Sequence, residues 1–337
     1  MRLSFLHFMI WMSLSALPAG AQVVEHEQHA FPEDIPAGGY SGITWLGDNR
    51  YAVVSDNTAR EGFFLFNIKL NSKGDIVSAK NLGFKGNKGR GRDNEGIAWC
   101  KKKNTIFVTR ESDNQVVELS MTGKPTGRKL AVPKVFEGTT KVYGFEALTY
   151  NAATHRFWIT SESTLNGDGK RATASNGVRN ALRLQSFNDN LKPVAHYWYL
   201  MDKPESRTEQ QLQNFAMGVS ALTALDDGRL LVLEREFAVP EAKLGAFVNC
   251  KIYEVNPQKN RVSSSKRPKK EEDFLQKKLV AEWTTAIGLL DFSIANYEGM
   301  CLGPKLADGG QVIVLIADSQ NQYAGILSDW LKTIVIY

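Results

Sequence analysis

The 337-residue chain carries 41 Lys and Arg against 36 Asp and Glu, a formal charge of +5, with 43% hydrophobic and 23% charged residues. That balance is ordinary for a globular protein, excludes general disorder, and is too weakly basic for a nucleic-acid partner. Five His and three Cys are too few for a histidine-rich zinc centre or a disulfide scaffold.

Residues 1–21 read as a secretory signal: Arg2 is the positive start, Leu3 to Leu17 the apolar run, and Ala19-Gly20-Ala21 the small-residue cleavage site. The expected mature chain is residues 22–337, one domain, exported to the periplasm or beyond. No later stretch reaches about 18 apolar residues, so no membrane span is expected after cleavage. Cys100, Cys250 and Cys301 each sit in an apolar, strand-like segment and are expected as buried free thiols, with a Cys100–Cys301 pair left open.

From residue 41 a pattern repeats. A Ser or Glu is followed by a small residue and an alternating apolar run, then a turn, then a second apolar run ending on a carboxylate. The copies are Ser41 to Trp45 with Tyr51 to Asp56, Glu95 to Trp99 with Ile106 to Glu111, and Glu146 to Tyr150 with Phe157 to Glu162. Then come Ser220 to Ala224 with Leu230 to Glu234, and Glu298 to Leu302 with Val312 to Asp318. Third strands follow at Phe63 to Leu70, Gln115 to Met121, Ala181 to Phe187, Cys250 to Val255 and Lys332 to Tyr337. Looser fourth strands follow most copies, such as Arg128 to Val132 and Ala195 to Leu200.

Four short antiparallel strands per repeat predict an all-β propeller. Five repeats are counted. Starts at 41, 95, 146, 220 and 298 leave long third and fourth intervals in which a sixth could sit. The chain ends on a third strand, so Val23 to His29 is expected to supply the missing fourth and close the ring. Two inserts stand out. Pro204 to Met217 is polar and reads as a short helix or lid, and Ser263 to Lys278 is charged and reads as a solvated loop.

If the first strand of each repeat lines the channel, its opening residue lies at one rim, and the antiparallel second strand ends at the same rim. That gathers Glu95, Glu146 and Glu298 with Asp56, Glu111, Glu162, Glu234 and Asp318. Clustered carboxylates need neutralising. A hard cation such as Ca²⁺, which takes six to eight oxygens, does this and can polarise a bound ester or water. On this reading Glu95, Glu146 and Glu298 take the catalytic places and Asp56, Glu111, Glu162, Glu234 and Asp318 hold the metal. Arg110 and Arg235 neutralise the anion. The glycine-rich basic stretch Lys85 to Arg92, with Arg90 and Arg92, is a further anion-binding candidate. A serine esterase elbow, a His-Glu-x-x-His zinc motif and a Walker loop are all absent from the sequence.

Four segments carry a family resemblance: Asp93-Asn94-Glu95-Gly96-Ile97-Ala98, Gly144-Phe145-Glu146-Ala147-Leu148, Val219 to Leu222 with Leu231 to Arg235, and Asn296-Tyr297-Glu298-Gly299-Met300. Together they resemble the phytase-like domain family, labelled "esterase-like activity of phytase", which is related to β-propeller phytases. The resemblance spans about Gly39 to Tyr337. It implies a propeller, Ca²⁺ dependence and hydrolysis of phosphate or carboxylic esters. Where the family form reads Arg-Gly-Phe-Glu, this chain has Tyr143-Gly144-Phe145-Glu146.

The leading expectation is therefore an exported, Ca²⁺-assisted ester hydrolase acting on a small anionic or ester substrate, as a monomer. A non-catalytic propeller module that binds a surface partner or glycan is the first alternative. A lactonase-like or sugar-oxidising propeller enzyme is the second.

Overall fold

Val, Ile, Leu, Phe and Tyr crowd the second run of every repeat, and each such run folds as a strand covered on both faces. The computed structural model describes residues 22–58, 60–87, 93–138, 143–206, 212–260, 262–263, 266–289, 292–320 and 322–337. The expected signal at 1–21, and Arg90 and Arg92 of the basic stretch, lie outside the described residues.

The chain opens with β1 (Val23–Glu25) and β2 (His29–Ala30). Blade one is β3 (Tyr40–Gly47), β4 (Arg50–Ser55), β5 (Glu61–Leu70) and β6 (Ile76–Asn87). Blade two is β7 (Asn94–Cys100), β8 (Thr105–Arg110), β9 (Gln115–Ser120) and β10 (Pro125–Lys129). Blade three is β11 (Phe145–Asn151), β12 (Arg156–Ser161), β13 (Ala181–Asn188) and β14 (Pro193–Leu200). Blade four is β15 (Leu212–Ala224), β16 (Leu230–Pro240), β17 (Phe247–Val255) and β18 (Lys277–Ala286). Blade five is β19 (Asn296–Lys305), β20 (Gln311–Asp318) and β21 (Trp330–Ile336). All five sheets are antiparallel meanders in sequence order.

The N-terminus closes the ring as expected. Val23 pairs with Ile336 and Val24 with Val335, and β2 pairs further along β21. There are five blades among the described residues, with no sixth sheet. The long intervals hold other things: the connection 162–180, the extended β15–β16 hairpin, and the connection 256–276.

Both insert readings need correction. From Leu212 onward the first insert is strand β15, not a helix, because it pairs with β16 out to Pro240. Its residues 207–211 lie outside the described set. The charged insert is partly packed: Phe274 and Leu275 are buried against the protein, and the Leu275 N–H donates to the Trp198 carbonyl at 2.8 Å. All three cysteines are free and buried, as expected. Among the described residues, no helix is long and apolar enough to cross a membrane.

Down the channel the five first strands stack equivalent residues in layers. Ser41, Glu95, Glu146, Ser220 and Glu298 form one layer, and Gly42, Gly96, Ala147, Ala221 and Gly299 the next. Ile43, Ile97, Leu148, Leu222 and Met300 follow and make an apolar waist. Free space at the waist is only about 10 Å³, room for about one water.

An acidic well at one mouth of the channel

The layer of opening residues owes its aim to a repeated irregularity. In every blade the ladder between first and second strands slips by one residue at this layer, between Tyr40 and Gly42, Asn94 and Ile97, Phe145 and Ala147, Val219 and Ala221, and Tyr297 and Gly299. A bulge with one extra residue bends the strand and re-aims its side chain. Three of the five bulges carry glutamate: Glu95, Glu146 and Glu298. The two serines serve as clips between blades instead. Ser41 donates its hydroxyl to the Asn94 carbonyl at 2.8 Å and Ser220 to the Tyr297 carbonyl at 3.2 Å.

The second-strand contribution is fixed by register. Tyr40 faces Ser55, Asn94 faces Arg110, Phe145 faces Ser161, and Val219 faces Glu234, while Asn296 faces Asp318. The ring position is one residue beyond the first four of these pairs. It is filled by Asp56, Glu111, Glu162, Arg235 and Asp318. Glu234 is therefore out of register with the other four proposed metal ligands, because neighbouring residues on a strand face opposite sides. Its carboxylate accepts from Lys277 Nζ at 2.6 Å, from the Tyr199 hydroxyl at 2.5 Å and from the Asp202 N–H at 3.0 Å. Arg110 occupies the same off-ring position in blade two. Its guanidinium pairs with Glu61 of blade one and reaches Asp113 at 3.8 Å. The structure thus brings together Glu95, Glu146, Glu298, Asp56, Glu111, Glu162, Asp318 and Arg235, and leaves Glu234 and Arg110 aside.

Arg235 is the cation inside the ring. Nη1 donates to Glu298 Oε1 and to Asn296 Oδ1, both at 2.6 Å, and Nη2 donates to Glu162. Burial works against its charge, but Glu298, Glu162 and Glu146 outweigh it and raise its pKa. Two glutamates accordingly have a buried counter-charge, and among the described residues the other carboxyls of the well have no ion pair.

The remaining carboxyls show what such crowding does. Burial first, then Glu298 and Asp93, pushes Asp56 up to about 7. Glu111 also stands at about 7, raised by burial and partly held down by the Gly144 N–H, which donates to its Oε1 at 2.7 Å. Glu95 and Glu146 are raised well above the usual carboxylate range, by burial and then by the neighbouring acids. Asp318 follows the same pattern, through burial and then Glu298 and Asp56. Asp56 Oδ1 is buried with no hydrogen-bond partner among the described residues. Glycine makes this crowding possible. At Gly39, whose φ is +54°, a Cβ would stand 2.5 Å from Asp56 Oδ1 and 3.3 Å from Asp318 Oδ1.

Three acids come closest to a metal cage. Oxygens of Asp93, Glu95 and Glu111 all lie within 4.8 Å of one another, about twice a Ca–O bond length. Asp93, at φ +58°, was quoted above only within a family motif. Its one sequence signal is its place just before the β7 bulge, where its carbonyl accepts the Glu111 N–H at 2.9 Å.

A second residue had no sequence signal at all. Arg171, on the long connection after β12, lays its guanidinium over the Tyr143 ring at 4.1 Å from the centroid. Burial raises the pKa of Glu162, and Arg235 and then Arg171 oppose that rise; the Arg171 Nη1 is buried with no partner among the described residues. Tyr143 stands where the family form has arginine, so a guanidinium reaches this spot from another segment.

A family model described as "Phytase-like: Esterase-like activity of phytase" matches residues 35–320. The chain belongs to the phytase-like family. No curated protein matches it. Among solved structures, the endo-arabinase from Bacteroides thetaiotaomicron is 11% identical, covers 90% of this chain and 95% of its own, and has a TM-score of 0.44. A luciferin-regenerating enzyme is 10% identical with coverages of 94% and 97% and a TM-score of 0.42. A streptogramin B lyase is 11% identical with coverages of 94% and 98% and a TM-score of 0.35. Likenesses this loose say nothing about chemistry. Of the motifs that this phytase-like chain carries, Asp93 to Ala98, Gly144 to Leu148 and Asn296 to Met300 each contain a bulge glutamate of the well.

Proposed function

We propose that this phytase-like protein is an exported hydrolase of phosphate or carboxylic esters that works with a divalent cation, Ca²⁺ first among them. The observation that carries the reading is the trio Asp93, Glu95 and Glu111, three all-oxygen ligands converging in a well where other carboxyls are already forced towards their neutral forms. Such a donor set fits a hard cation. A cation held there would supply Lewis-acid polarisation of an ester oxygen and acidify a bound water.

The chain's own groups divide the remaining work. Asp56, outside the trio and pushed up to about 7 by burial and then Glu298 and Asp93, accepts a proton from an attacking water at neutral pH. Burial and four neighbouring glutamates oppose ionisation of Glu146 and raise its pKa well above the usual carboxylate range, which suits it to deliver a proton to the leaving oxygen. Arg171, whose Nη1 has no partner among the described residues, offers it to the anionic end of the substrate. Burial raises the pKa of Glu162 and of Glu298, and Arg235 opposes that rise and holds both carboxylates in place.

The test uses residues 22–337 with p-nitrophenyl phosphate and p-nitrophenyl acetate, in EDTA and with added Ca²⁺. Turnover that requires Ca²⁺ is expected. Glu95→Gln should lower kcat by roughly 100-fold or more, and Arg171→Gln should raise KM by about tenfold with a smaller change in kcat. Full activity in Glu95→Gln would overturn the site. A Ca²⁺-dependent rise in Tm with no turnover on either ester would favour the binding-module reading instead.

A further inference from the structure

The mouth opposite the acidic well holds a concave space of about 350 Å³. That falls within the range of small-molecule sites. Its floor is the apolar waist of Ile43, Ile97, Leu148, Leu222 and Met300. These side chains are buried, and they separate this space from the carboxylates.

The walls are not equivalent around the ring. Blades one, two and three contribute Trp45, Trp99 and Tyr150, whereas blades four and five contribute Ala224 and Leu302 at the same layer. One side is thus a bank of aromatic faces and the other is small, which leaves a slot instead of a plugged channel. Two of the aromatic walls are tethered. Trp45 Nε1 donates to the Asp48 carbonyl at 2.8 Å, and the Tyr150 hydroxyl donates to Asp189 at 3.1 Å.

Polar recognition is available just above the floor. Thr44 and Thr149 line the space, and each hydroxyl oxygen accepts a backbone N–H from the next blade, Trp99 at 3.2 Å and Ala224 at 3.1 Å. Neither hydroxyl hydrogen has an acceptor among the described residues, so both are open to a ligand oxygen. The charged rim residues are Lys101 and Asp226, one of each sign, so the slot does not select for net charge.

We propose that this slot is a second binding site, for a small uncharged planar ring compound carrying a carbonyl oxygen. The ring stacks on the Trp45 and Trp99 indoles and the carbonyl accepts from Thr44 or Thr149. The site is independent of the ester-hydrolase reading, because the waist lies between them.

The experiment is calorimetric titration of residues 22–337 with 7-methoxycoumarin, joined to ¹⁹F NMR of the fluorotryptophan-labelled protein. Saturable binding with a Kd below about 1 mM is expected for a ligand of this size, with shifts at the Trp45 and Trp99 resonances. Trp45→Ala should weaken binding at least tenfold, while Arg171→Gln, at the other mouth, should leave it unchanged. No saturation, shifts confined to other tryptophans, or loss of binding in Arg171→Gln would each overturn the proposal. If Trp45→Ala does not fold, the ¹⁹F shifts in the unaltered chain decide it.

Discussion

Arg235 and Glu234 show how much one residue of register changes. Both are buried and adjacent, yet Arg235 joins Glu162 to Glu298 across three blades while Glu234 meets Lys277 of blade four and Tyr199 of blade three, away from the other carboxyls of the well. Removing one partner of a buried charge pair leaves the others uncompensated, at a cost of about 3–5 kcal/mol. Arg235→Gln should therefore be destabilised by about that amount in urea unfolding, and an unchanged midpoint would contradict the pairing. The register also separates two kinds of glutamate. Glu111→Gln should abolish any Ca²⁺-induced rise in Tm, whereas Glu234→Gln should lower Tm yet keep that rise. The reverse pattern would restore Glu234 to the site.

At the level of the element, the bulge on each first strand is the device that turns a strand into part of a site. It depends on the small residue that follows. At Gly42 a Cβ would lie 2.2 Å from the Glu95 carbonyl oxygen, and at Gly96 it would lie 2.5 Å from that of Glu146. These contacts are to backbone, so a substitution has to push neighbouring first strands apart. Gly42→Ala should destabilise the protein by roughly 1–3 kcal/mol and also weaken Ca²⁺ binding, since Glu95 moves with its carbonyl. Calorimetry with and without Ca²⁺ checks both effects. Stability loss with unaltered Ca²⁺ affinity would mean that the strand spacing does not position the acid.

For the whole molecule, closure and charge set the limits. Blade five lacks its outer strand without β1 and β2, and removal of residues 22–30 would expose the edge of β21. That truncation should lower Tm and promote aggregation on heating. The acidic well adds a pH dependence. Asp56 and Glu111 have folded pKa values raised from 3.8 and 4.5 to about 7. Between those limits the folded state binds more protons than the unfolded one, so stability falls as pH rises. In EDTA, Tm should drop by something on the order of 5 °C between pH 5 and pH 8, and Ca²⁺ at pH 8 should recover it. A Tm that climbs over that interval in EDTA would contradict the raised values.

Alternation and repetition are local properties of a chain, and they carried the all-β propeller, the repeat starts, the free buried cysteines and the closing N-terminal strand. Glu95, Glu146 and Glu298 were legible for the same reason, since each begins a repeat. Other features depend on what lies across a strand pair or across the ring. The bulges, the exchange of Glu234 for Arg235 and the pairing of Arg110 with Glu61 belong to that class. Arg171 reaches Tyr143 from 28 positions along the sequence, through a connection with no periodicity to read. The sequence by itself determined which residues could gather at the rim, because strand period and repeat length fix their height along the channel. Only the tertiary structure decided which of them face the well, because bulge and register set the direction of a side chain, and both depend on partners distant in the chain.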